Sequence, residues 1–233
     1  MNIKPLLLVI CAAFVCFTAC QKNNDAPTPV NTSIDSLNFV NAYSVPVNIY
    51  LNGSRLNNTY NLGAGGSSGY YTVPSGKQTY QVKKVFNPTS SIVPSLFSYS
   101  ANLTPHRYYS LFIAGPTDSS AFAIVDTLPG SGVAAGTCQV RFVNASPNNG
   151  SFDFSIGGKQ YSNWAFGKGS GFMEVDTASL SPLMLYQAGS ATPLLSGHYP
   201  LQQGFVYTFY AKGTPDGKGT SAFSIGVTVN GQY

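Results

Sequence analysis

The sequence predicts an all-β fold: two immunoglobulin-like β-sandwich domains in tandem, preceded by a signal peptide and a polar tether. Three observations lead there. Short apolar runs broken at close intervals by turn residues fill both halves of the chain. No stretch carries a convincing helical stripe. Landmarks of the first half also recur in the same order in the second: Phe39-Val40-Asn41-Ala42 as Phe142-Val143-Asn144-Ala145, residues 103–115 as 201–213 without a gap, and Ser120-Ala121-Phe122-Ala123-Ile124 as Ser221-Ala222-Phe223-Ser224-Ile225. Collinear matches at offsets of about a hundred residues read as a tandem duplication.

Composition agrees. A chain of 233 residues with 43% hydrophobic content has the length of one large or two ordinary domains, and the repeat selects two. Charged residues make up only 9%, against about 25% in a typical soluble domain, while Gly (24), Tyr (15), Phe (15) and Pro (15) are plentiful. That mixture suits strands and turns. The net charge of +4 is spread out, with Lys83-Lys84 the only adjacent basic pair, so no stripe exists to follow a phosphate backbone and nucleic acid is excluded as a partner.

The elements follow in order. Residues 1–19 carry Lys4 and then the apolar run 6–17, which is too short for a comfortable span of about 20 residues and reads as a secretory signal peptide. Phe17-Thr18-Ala19-Cys20 resembles the lipobox of bacterial lipoproteins, in which the residue before the acylated cysteine is small. Ala19 meets that need, whereas Val15 before Cys16 and Ile10 before Cys11 are bulky. Cys20 is therefore the expected lipidation site and the membrane the expected partner, through its acyl chains. The segment 20–34 reads as a polar tether. Its start, Gln21-Lys22-Asn23-Asn24-Asp25, is similar to the surface-export tag of Bacteroidetes lipoproteins, but amides replace two of the expected acids. The location implied is the outer membrane, with periplasmic and surface faces both open.

In the first domain, 35–128, strands are expected near 36–42, 45–52, 70–73, 79–86, 96–103, 107–114 and 121–125, with period-two alternation of Val45, Val47, Ile49 and Leu51. Asn52-Gly53 is a hairpin signal. About seven short strands in about 95 residues suit an immunoglobulin-like sandwich. Tyr109 and Tyr207 fall where a tyrosine corner sits. A linker over 129–136 should join the domains as a semi-fixed rod. The second domain, 137–233, should have strands near 138–144, 151–156, 172–175, 183–187, 205–211 and 222–229, with turns at Gly157-Gly158 and Gly189-Ser190.

Phe142-Val143-Asn144-Ala145-Ser146-Pro147, followed by an aromatic strand ending in Ala-x-Gly and a closing Ala-Phe strand, resembles the domain of unknown function 4397 family of secreted bacterial proteins. The first unit departs from it at Ser44-Val45-Pro46. The resemblance implies an immunoglobulin-like fold and no known catalytic residues.

Groups able to do chemistry are scarce. His106 and His198 are far apart in sequence without a third ligand, so no metal site is expected. No cofactor motif occurs: Gly65-Gly66-Ser67-Ser68-Gly69 and Gly167-Lys168-Gly169-Ser170 lack the pattern of a phosphate loop. Glu174 and Asp176 would share one strand face and are the only close acidic pair available to a glycoside hydrolase. Cys138, alone after loss of the signal and acylation of Cys20, reads as a buried inert thiol. Trp164, with Tyr161, lies in a loop-like stretch and is the candidate ligand contact. Ser36, Thr127 and Thr177 each follow an aspartate and precede an apolar residue, a pattern similar to the O-glycosylation acceptor of exported Bacteroidetes proteins. The function expected is a non-enzymatic envelope lipoprotein presenting its sandwiches to a protein or glycan partner. The alternatives are a structural spacer and, third, a glycoside hydrolase.

Overall fold

The computed structural model describes residues 33–85, 95–130, 133–177, 180–214 and 216–233. The signal, Cys20 and nearly all of the tether lie outside them. The first half contains β1 (Ile34–Asn41), β2 (Val47–Leu51), β3 (Ser54–Arg55), β4 (Ser67–Pro74), β5 (Gly76–Lys84), β6 (Ser95–Leu103), β7 (Tyr108–Ile113) and β8 (Ala121–Val125). The second contains β9 (Thr137–Asn144), β10 (Phe152–Ile156), β11 (Lys159–Trp164), β12 (Met173–Asp176), β13 (Ser181–Gln187), β14 (Pro193–Tyr199), β15 (Phe205–Lys212) and β16 (Ser224–Gln232). Each half is a sandwich of two four-stranded sheets, as its alternating sequence requires. The inner sheets run β4-β1-β7-β8 and β12-β9-β15-β16; the outer sheets run β3-β2-β5-β6 and β11-β10-β13-β14. The sequence reading missed β3, β11 and β14.

The first strand of each half pairs parallel with the aromatic strand: Phe39 faces Leu111 in one, and Phe142 faces Phe209 in the other. Leu37, Phe39, Tyr109 and Leu111 point into the first core, while Val140, Phe142, Tyr207 and Phe209 point into the second. The asparagine of each motif ends its strand. Asn41 Nδ2 donates to the carbonyls of Val45 and Leu62, both at 2.9 Å, and its Oδ1 accepts from Tyr43 N. Asn144 repeats the pattern with Gly150, Trp164 and Ser146 N. These are side chains satisfying a turn. The Ala-x-Gly landmark is equally structural. At Gly213, with φ of 76°, an added Cβ would meet the Ala222 carbonyl at 2.3 Å, so only glycine fits. The third landmark holds only as far as the 3-10 turns Asp118–Ser120 and Gly219–Ser221. Beyond them the registers part: Ile113 faces Ala121, whereas Ala211 faces Ile225, three residues past Ala222, the counterpart of Ala121.

The expected rod is replaced by a stack. The two sandwiches belong to one compact unit, and their inner sheets pack face to face rather than being joined only through the linker. The reason is visible in Phe39-Val40 and Phe142-Val143. Adjacent residues on a strand point to opposite faces, and both members of each pair are fully buried. Strands buried on both faces read as continuous apolar runs. Val40, Ala42, Phe112, Val143, Ala145 and Tyr210 form a third core between the sandwiches, with the Phe112 and Tyr210 rings 5.6 Å apart edge-to-face.

Beside this apolar patch lies a buried polar network. Arg141, 1% exposed, pairs with Asp126 across the joint. Its Nε donates to Thr208 Oγ1 at 2.7 Å and its Nη1 to the Val125 carbonyl at 3.3 Å, while the guanidinium lies 4.7 Å from the Phe172 ring. Asp126 also accepts from the hydroxyls of Ser110 and Tyr70, and Asn230 Nδ2 donates to Tyr70 Oη at 2.8 Å. Burial, followed by the neighbouring Asp126 charge, drives the Tyr70 hydroxyl pKa upward, keeping it a neutral donor. Asp126, near the end of the first domain as expected from sequence, is thus an anchor of the joint.

Both tyrosine corners are present. Thr104 N donates to Tyr109 Oη at 2.8 Å and Gln202 N to Tyr207 Oη at 3.3 Å, each five residues upstream. Tyr109→Phe should cost about 1 kcal/mol in urea unfolding, and Tyr207→Phe, with the longer bond, less; equal and negligible costs would contradict the assignment. Arg141→Met leaves a buried carboxylate unpaired and should cost about 3–5 kcal/mol. The Arg141→Met/Asp126→Leu double variant should recover much of that loss, and a double as unstable as the sum of its singles would contradict the network's role.

Candidate functional site

The residues singled out by sequence go to different places. Trp164 is not in a loop. It sits on β11 opposite Phe152, half-buried against the second core, because Asn163 takes a left-handed φ of 59° and forms an irregularity in the β10–β11 pairing. Its carbonyl accepts from Asn144 as the Leu62 carbonyl accepts from Asn41, so Trp164 occupies the place of a core leucine. Tyr161 is 3% exposed, and its hydroxyl donates to the Val140 carbonyl at 2.9 Å. Burial raises its pKa. It is an internal strut.

Glu174 and Asp176 share one exposed face of β12, as their spacing requires. Neither lines the grooves described below. His106 lies in an exposed turn and His198 on an exposed position of β14; among the described residues no group of three or more His, Cys, Asp or Glu could hold a metal ion. Cys138 is buried and free, and desolvation pushes its thiol up to about 11. Of the three hydroxyls with acceptor-like context, Thr127 is exposed, Ser36 is partly buried within β1, and Thr177 donates to the Gly136 carbonyl at 2.8 Å.

The two glycine-rich segments are each other's counterparts. Ser68 Oγ accepts from Phe39 N and Ser170 Oγ from Phe142 N, both at 2.9 Å, and each hydroxyl donates to the carbonyl of the following glycine. Gly65 and Gly167 take φ of 76° and 75° and donate to the Asn41 and Asn144 carbonyls. Asn61 to Tyr70 aligns with Asn163 to Phe172 residue for residue, with Asn, Gly, Ser and Gly repeated. That correspondence is legible in the sequence itself.

Two hollows remain. One, of about 220 Å³, lies where the motif ends of both halves meet, lined by Ala42, Tyr43, Pro116, Pro147, Asn148 and Thr214. The other, of about 230 Å³, lies on the outer sheet of the second sandwich. Phe152, Phe154 and Ile156 point inward from β10, which turns Asp153 and Ser155 outward. The register sets Asp153 opposite Tyr186 and Ser155 opposite Gln160, and Ser162 and Ser190 complete the groove. Asp153 is held rigidly: Oδ1 accepts from Asn163 N at 2.6 Å and Oδ2 from Gly189 N at 2.9 Å. The chemistry available is a fixed carboxylate, an amide, several hydroxyls and one ring. Sequence reasoning passed over Asp153 and Ser155, although their alternation with three buried apolar residues marks them as outward-facing.

No curated protein is similar enough in sequence to count as a relative. Among solved structures, a putative adhesin from Bacteroides ovatus aligns over 86% of this chain and 93% of its own at 12% identity, with a TM-score of 0.20; a likeness that slight carries no argument. A family model, described as a domain of unknown function (DUF4397), matches residues 36–155, which take in the first sandwich, β9 and nearly all of β10. With more than half of its length matched, the chain belongs to the DUF4397 family.

Proposed function

We propose that the protein is a non-enzymatic lipoprotein of the cell envelope, tethered to the outer membrane through acylated Cys20 and displaying its stacked sandwiches for binding a protein or glycan. The observation that carries this reading is the N-terminal sequence. An apolar run at 6–17 is followed by the small residue Ala19, then Cys20, then polar sequence. More than one acyl chain on Cys20 gives stable attachment without a spanning segment. Among the described residues no helix is long and apolar enough to cross a membrane.

Display is supported by the rigidity of the stack. Its inner sheets are consumed by the joint, so the outer sheets and the loops are what it can offer to a partner. The exposed hydroxyl of Thr127 beside the joint is the acceptor best placed for a glycan, ahead of Ser36 and Thr177. The spacer reading is favoured by the same joint, because a buried ion pair between sandwiches fixes their orientation. An enzyme using Glu174 or Asp176 has the least support, since both lie on an edge strand away from either hollow.

Expression with a clickable palmitate analogue tests the anchor. The full chain should take up label and fractionate with membranes, whereas Cys20→Ala should lose the label and become soluble. A Cys20→Ala chain that stays labelled and membrane-bound would sink the proposal.

A further inference from the structure

We infer that the groove on the outer sheet of the second sandwich is a binding site for one ring of a neutral saccharide. This deepens the binding reading above and rests on it for the use of the outer sheet.

The first observation is a difference between the two sandwiches. They agree where the fold needs agreement, in the motif asparagines, the serine bridges and the tyrosine corners. They disagree on the outer sheets. Val47 bridges to Leu62 as Phe152 pairs with Trp164, so Asn48 stands where Asp153 stands. In the first sandwich that position is closed: Asn48 is 7% exposed and accepts from Asn57 Nδ2 at 3.2 Å, and Lys83, opposite it, lays its Nζ 4.3 Å from the Tyr50 ring. In the second, Tyr186 replaces the lysine, β11 replaces the covering segment around Asn57, and the face stays open over Asp153.

The second observation is the lining. Asp153 spends one lone pair of each oxygen on a backbone N–H, which fixes the carboxylate and leaves further lone pairs to accept from ligand hydroxyls. Gln160 adds a group that both donates and accepts, and Ser155, Ser162 and Ser190 add hydroxyls. Tyr186 supplies a flat apolar surface for the C–H face of a ring. Paired hydroxyl donors and acceptors above a weakly apolar face are the pattern of a sugar. No cation lines the groove, and Asp153 would repel a uronic acid or other acidic saccharide. A volume of about 230 Å³ falls below the range of about 300–1,000 Å³ for pockets that enclose drug-sized ligands. The site should therefore grip a single ring of a longer chain, with an affinity on the order of 1 mM, strengthened when many anchored copies face the same polymer.

The test is ligand-observed NMR titration of the full acylated chain in detergent with glucose, galactose, mannose, N-acetylglucosamine and glucuronic acid, in parallel with Cys20→Ala. At least one neutral sugar should saturate, glucuronic acid should not, and the acylated and Cys20→Ala chains should bind alike. Asp153→Asn, Gln160→Ala and Tyr186→Ala should each weaken binding at least tenfold, while Glu174→Gln leaves it unchanged. Gln160 is exposed and outside the core, so Gln160→Ala keeps the test open if Asp153→Asn loosens the β11 turn. Failure of every neutral sugar, or saturation that survives Gln160→Ala and Tyr186→Ala, would overturn the site. Because Cys20→Ala carries its own readout, loss of the anchor and loss of the sugar site are distinguished.

Discussion

The stacking of the two inner sheets is the constraint from which the rest of the molecule follows. The joint-facing side of each inner sheet carries an apolar patch beside its polar residues, so neither sandwich can stand alone without leaving Val40, Phe112, Val143 and Tyr210 in water. Pairing the sheets removes that surface. It also buries Arg141, and burying a charge is costly unless it is paired and hydrogen-bonded. Asp126 and Thr208 meet that requirement with Ser110, Tyr70 and Asn230 around them, drawn from both halves of the chain. The network works in one relative position of the sheets only. An apolar contact sets the attraction, and the polar one sets the register.

This arrangement decides where function can reside. With the inner faces consumed, the outer sheets and loop ends are what the stack presents. The first outer sheet is closed by its own side chains, Asn57 on Asn48 and Lys83 over Tyr50. The second is open above Asp153. Two sandwiches built on one pattern therefore divide into a partner that completes the joint and a partner that keeps a polar groove.

Much of this was legible in the sequence. The period-two alternation of Val45 to Leu51 and the recurring Phe-Val-Asn-Ala gave the class and the internal repeat, because side-chain alternation is fixed by strand geometry. Tyr109 and Tyr207 fall at the expected place for corners in the sequence, but the bonds from Thr104 N and Gln202 N are what identify them. The joint could not be read. Phe39-Val40 puts an apolar residue on each face but does not show what covers the second face, and Asp126 looks like an ordinary strand-end aspartate until Arg141, 15 residues later, is seen beside it. Trp164 misled because a large exposed-looking aromatic among turn residues resembles a ligand contact; the hydrogen bond from Asn144 reveals it as the counterpart of Leu62. Asp153 drew no attention as a lone carboxylate in an ordinary strand, and its significance depends on Gly189 and Asn163 folding back onto it.

Native-state hydrogen exchange tests the central claim, that the stacked sandwiches are one cooperative unit, most directly. Opening free energies reach the global value only in segments that unfold with the whole. The amides of Leu111 in the first sandwich and Phe209 in the second should exchange with the same free energy and the same dependence on denaturant. A set of amides in one sandwich that opens at markedly lower free energy, with the other still protected, would show two independent domains and contradict the account.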